Sequence, residues 1–81
     1  MVITWDEPKR QKVLTERGLD FARVTPAFLA VAILVAERDG RRLVVGRLDG
    51  RAVAVVIAPL GTEAVAVVTM RPASKAERRL L

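Results

Sequence analysis

Three apolar runs of strand length, set between Arg41 and Arg71, leave this chain few folds to choose from. Asp49-Gly50 and Pro59-Leu60-Gly61 divide the runs, and arginines bound them at both ends. An Asp-Gly pair between apolar runs predicts a two-residue hairpin. The Pro59-Leu60-Gly61 connection is looser but short enough for a second hairpin. The runs Ala52 to Ala58 and Ala64 to Met70 are apolar at almost every position instead of alternating. They are therefore expected in the middle of a sheet or covered on both faces.

The residues before this block supply the cover. Val2 to Thr4 is short and β-branched and reads as a brief edge strand. Asp6 suits a helix N-cap, Glu7 the positive end of the helix dipole and Pro8 a first turn, so a helix should run through Leu14 and stop near Gly18. Phe21, Val24, Phe28 and Val31 recur at helical spacing, with Thr25-Pro26 reading as a fresh N-cap and first position, which predicts a kink or two short consecutive helices. A strand is expected from Ile33 into the turn composition of Glu37-Arg38-Asp39-Gly40. After Pro72, Ala73 to Leu81 reads as a basic final helix. The order predicts one α+β domain over residues 1–81: an N-terminal strand and two helices on one face of a mainly antiparallel sheet of about four strands, then a short C-terminal helix.

Composition narrows the chemistry. The chain has no cysteine and no histidine. Disulfides, thiolate metal sites and His-based triads are excluded, and a zinc or iron site would have to use carboxylates alone. Fourteen basic against nine acidic residues give +5, which favours nucleic acid or an acidic protein as a partner. Hydrophobic residues make up 52% of a chain of 81, more than a small core can hide, so apolar surface should remain for a partner. There is no signal-peptide core and no apolar run of membrane-spanning length, so the expected location is cytoplasmic.

The order Ile3-Thr4-Trp5-Asp6, Lys9, Gly18, Phe21-Ala22, Arg42, Gly46, Val55-Val56 and Val68-Thr69-Met70-Arg71-Pro72-Ala73-Ser74-Lys75-Ala76-Glu77-Arg78-Arg79 resembles the BrnT family of ribonuclease toxins. The resemblance runs over nearly the whole chain. Its specific parts are the Trp-Asp opening and the Arg-x-Ala-Ser-Lys-x-Glu-Arg-Arg close. It implies a RelE-like fold, RNA cleavage that arrests translation, and neutralisation by a BrnA-like antitoxin encoded beside the toxin. It further implies a complex that meets DNA only through that antitoxin; a 2:2 complex with the antitoxin, or a homodimer through the leftover apolar surface when the antitoxin is absent, are the oligomers allowed for. The family's usual Asn-x-x-Lys-His-Gly is here Val13-Leu14-Thr15-Glu16-Arg17-Gly18, so Arg17 stands where the family has histidine. Leu60, Ala64 and Ala66 occupy positions that are usually basic.

Cleaving RNA through its own 2′-hydroxyl needs a proton acceptor, positive charge at the pentacoordinate phosphorus and an acid for the 5′-oxygen. Arginine suits the second need, because its planar fork binds phosphate oxygens in pairs and stays charged. Arg71 and Arg42 are the first candidates, expected to converge if their strands are neighbours, with Arg17 as a third. Lys9, Lys75, Arg78 and Arg79 are candidates for contact with the RNA backbone. Each also has a plain alternative: a solvated strand end for Arg42 and Arg71, a helix C-terminal cation for Arg17, a structural role for Lys9, and a solvated charge run for Lys75, Arg78 and Arg79. Trp5 reads as core before it reads as a base-stacking platform, and Glu77 as an ion-pair partner of neighbouring cations before a base. No metal or cofactor is expected. Three readings remain: a metal-independent endoribonuclease toxin, the same fold without catalysis kept for antitoxin binding, and a small basic RNA-binding module.

Overall fold

The computed structural model describes all 81 residues. β1 (Val2–Trp5) leads into α1 (Glu7–Arg17), a 3-10 turn (Phe21–Arg23) and α2 (Pro26–Val31). Four strands follow, β2 (Ile33–Arg38), β3 (Arg41–Leu48), β4 (Arg51–Leu60) and β5 (Ala64–Pro72), and then α3 (Lys75–Arg78). The strand order is β1-β5-β4-β3-β2, antiparallel except where β1 lies parallel to β5. The sheet thus has five strands: the four expected from Ile33 onward and, parallel to β5 at the edge, the short N-terminal run β1. The two all-apolar runs occupy central positions, as expected. No helix is long and apolar enough to cross a membrane.

Local chemistry sets the boundaries. The Asp6 carboxylate accepts the Lys9 amide at 3.1 Å, and Gly18, at φ 69°, ends α1 with its N–H on the Leu14 carbonyl. Thr25 restarts the chain as an N-cap, its hydroxyl accepting the Phe28 amide at 3.1 Å. That restart breaks the expected apolar stripe: Phe21, Val24 and Phe28 are buried, but Val31 is 79% exposed. Asp49 and Gly50 have φ of 50° and 80°, the two positive values of a type I′ hairpin, and Asp39-Gly40 makes a second one. The last hairpin turns later than expected. Pro59 and Leu60 pair with Val65 and Ala64, so residues 61–63 make the turn. Proline is tolerated there because β3, which begins at Arg41, ends its ladder short of Pro59 and asks for no N–H.

The main core lies between the helices and one sheet face: Val13, Leu19, Phe21, Val24 and Phe28 against Val44, Val53, Val55, Ile57, Val65, Val67 and Met70. Trp5 is half-buried against this core, with its indole N–H donating to Glu7 at 2.8 Å. A smaller cluster on the opposite face joins Val45, Ala54 and Ala73. The C-terminal segment therefore packs on the other side of the sheet, not beside the first two helices. Its helix is also a single turn, shorter than the run to Leu81 that composition suggests.

Candidate functional site

One irregularity in β5 decides which face its last residues take. Val56 pairs with Thr69 but Ile57 pairs with Val67, so Val68 is an extra, bulged residue. Before the bulge, Val65 and Val67 face the helices; after it, Met70 does. Arg71, opposite Ala54, is thereby turned onto the open face of the sheet. Without the bulge the strict two-residue alternation would aim Arg71 into the apolar core.

The chain beyond Arg71 folds back to hold it. Ala73 donates its amide to the Ala52 carbonyl at 3.0 Å and tucks against Val45 and Ala54. Ser74 then caps α3, and its side chain and that of Glu77 satisfy each other's backbone amides in a capping box. The same Glu77 carboxylate accepts Nη1 of Arg71 at 2.7 Å and Nη2 at 3.0 Å. Nη1 donates as well to the Pro72 carbonyl at 3.2 Å. Of the five guanidinium N–H groups, Nε–H and the adjacent Nη2–H are left unused, and together they form a planar fork spaced for two phosphate oxygens. Glu77 is nearly enclosed, with its side chain 12% exposed, while Arg71 is 43% exposed and open to a ligand. The Arg71 guanidinium, helped by the Ser74 amide, pushes the Glu77 carboxyl down to about 2, and Glu77 in turn raises the pKa of Arg71.

Arg17 comes to the same place from α1. β1 pairs with β5 only as far as Val67, so the outer edge of β5 beyond it lacks a strand neighbour. There Arg17 Nη1 donates to the Met70 carbonyl at 2.7 Å. The structure thus brings Arg17 to the backbone next to Arg71, from residues far apart in sequence.

A family model described as "Ribonuclease toxin, BrnT, of type II toxin-antitoxin system" matches residues 5–77. This chain belongs to the BrnT family. The crystal structure of the Brucella abortus ribonuclease toxin BrnT is 39% identical to it, covers 93% of this chain and 99% of its own, and superposes with a TM-score of 0.83. Among curated proteins none matches this chain.

In this BrnT-family chain Arg42 does not join the other two arginines. β4 separates β3 from β5, and Arg42 pairs with Ile57 on the helix face, whereas Arg71 lies across from Ala54 on the open one. The expected convergence fails for that reason, and Arg42 instead donates Nε to Glu37 at 2.7 Å across the β2–β3 ladder. Lys75, Arg78 and Arg79 follow the site on α3 and its last turn, with Arg78 donating to the Ala73 carbonyl at 3.1 Å. Lys9 lies in the first turn of α1, exposed. Glu77 is the site residue that sequence reasoning placed wrongly, pairing with Arg71 and not with its helix neighbours. The signal was present as Ser74-x-x-Glu77, a capping-box spacing that directs the carboxylate back toward the preceding chain.

Proposed function

We propose that this chain is a metal-independent endoribonuclease, the toxin of a type II toxin-antitoxin system, which cleaves cytoplasmic RNA, arrests translation and is neutralised by a BrnA-like antitoxin. The observation that carries this reading is the unused Nε/Nη2 fork of Arg71, aimed outward by Glu77. A phosphate in that fork would receive two charge-assisted hydrogen bonds, and charge developing on its oxygens would meet a cation already held in place. The RNA 2′-oxygen attacks the adjacent phosphorus, the bond to the 5′-oxygen breaks, and the products are a 2′,3′-cyclic phosphate and a 5′-hydroxyl. The 2′-hydroxyl proton leaves as the 5′-oxygen gains one. Arg17 adds charge beside Arg71, while Lys75, Arg78, Arg79 and Lys9 extend backbone contact. Arg42, tied to Glu37 on the far face, fits the structural alternative better than a catalytic role.

A second reading, the fold kept for antitoxin binding without cleavage, draws support from Arg17. Its guanidinium cannot shuttle protons near neutrality, and Glu77, held near 2 by Arg71, is too weak a base to replace the missing histidine. Positioned acid-base catalysis is worth about 10²–10⁴-fold. Arg17→His in the purified protein is therefore expected to raise the cleavage rate by on the order of 10² and to give it a pH dependence centred at about 6.5. Cleavage by the variant alone would establish the second reading. A variant no faster than a cleaving wild type, with no new pH dependence, would show that position 17 does not reach the scissile phosphate.

A further inference from the structure

The far edge of the sheet, β2, is exposed at all six residues. Ile33, Leu34 and Val35 are 36%, 55% and 40% exposed, and Val31, just before them, is 79% exposed. No backbone hydrogen bond beyond the ladder to β3 involves residues 33–38, so the outward N–H and C=O groups of β2 have no partner within the chain. Native edges of this kind are normally blunted by charge, proline or shortness. β1, the other edge, is only four residues long. β2 carries no charge until Glu37, so Ile33 to Ala36 has no protection but the bulge at Val35.

A second feature adjoins this edge on the open face. A cavity of about 490 Å³ is lined by Ala36, Leu43 and Val56, with Arg38 and Arg41 at its rim. Arg41 forms no ion pair, and Arg38 has only a 3.5 Å contact with Asp39 between side chains that are 91% and 87% exposed. The result is an apolar floor beside an open strand, with Arg41 unpaired and Arg38 only loosely paired to Asp39, which lines the cavity as well.

We propose that the β2 edge docks the antitoxin as an added strand, through an extended segment with apolar residues for Ile33, Leu34 and the cavity, followed by acidic side chains for Arg38 and Arg41. Main-chain pairing supplies the affinity of such a contact and alternate side chains its specificity. Charge favours this occupant. A second copy of this chain would bring another +5 to a surface already rimmed by arginine, and RNA has no use for an apolar strand edge. The inference rests on the antitoxin part of the proposed function. Three strand spacings separate β2 from β5, roughly 14 Å, so the docked strand anchors the partner and other parts of it must reach Arg71.

The test is calorimetric titration of the purified toxin with the BrnA-like antitoxin encoded beside it. Leu34→Glu combined with Val35→Glu, both at exposed positions, is expected to weaken binding by about 100-fold, and Arg41→Glu alone by about tenfold. RNA cleavage without antitoxin should stay within about twofold of wild type, as should the antitoxin affinity of Val2→Glu on the opposite edge. If the double variant fails to fold, Arg41→Glu carries the test. Binding within about threefold of wild type for the folded variants, or a loss of self-association alone, overturns the proposal. A wild type that does not bind the antitoxin at all removes the antitoxin reading as well.

Discussion

Arg71→Ala is expected to lower the rate of RNA cleavage about 10²–10³-fold, the effect of removing one pre-positioned donor from a developing oxyanion. The loss should fall on kcat more than on KM, because the remaining basic residues still hold the RNA backbone while the charge at phosphorus is gone. Arg71→Lys should recover little. An ammonium is a point charge, and one drawn to Glu77 cannot also present a planar fork to phosphate. The fold should survive both changes, since Ser74 and Glu77 still cap each other and Ala73 keeps its bond to Ala52. Single-turnover cleavage with thermal unfolding of the same samples checks this: a large rate loss with a Tm lowered by only a few degrees is the expected pair, the Tm change coming from the Glu77 carboxylate that loses its arginine. Rates near wild type for Arg71→Ala would place the chemistry elsewhere.

The largest structural effect is expected at Phe28. Its ring lies on Gly46 of β3, so closely that a Cβ at position 46 would sit 2.6 Å from Cε2. α2 is one of the two helices that cover the main sheet face, and Phe28, 6% exposed, is its only buried residue. Phe28→Ala should cost about 3–5 kcal/mol, a large part of the roughly 5–10 kcal/mol that holds a domain this small together. Gly46→Ala should cost about 1–3 kcal/mol by overpacking. Because the two positions touch, the alanine at 46 should be much less harmful once the ring is gone, a coupling that urea denaturation of both single variants and the double variant would read. Additive losses would mean that ring and glycine do not press on each other as described.

The turns and caps were legible because each rests on residues a few positions apart. Asp6, Gly18, Thr25 and Asp49-Gly50 all act where their chemistry predicts. The central placement of β4 and β5 followed from runs with no polar alternation. The route of Arg71 to the open face was not legible, because the bulge at Val68 lies in a stretch from Ala64 to Met70 that is apolar at every position except Thr69, too little contrast to read a phase. The separation of Arg42 from Arg71 was hidden for a related reason: strand order fixes which residues share a face, and spacing along the chain does not. The family resemblance led to Arg71 and to the position of Arg17. It could not show that Glu77 grips one while the Met70 carbonyl takes the other.

The most direct test is the fate of an internally labelled RNA with a 5′-hydroxyl end, incubated with the purified chain in excess chelator. Cleavage should persist without divalent metal, be lost in Arg71→Ala, and leave 2′,3′-cyclic phosphate and 5′-hydroxyl ends. RNA left intact by folded protein at stoichiometric excess, or fragments bearing 5′-phosphates, would contradict it.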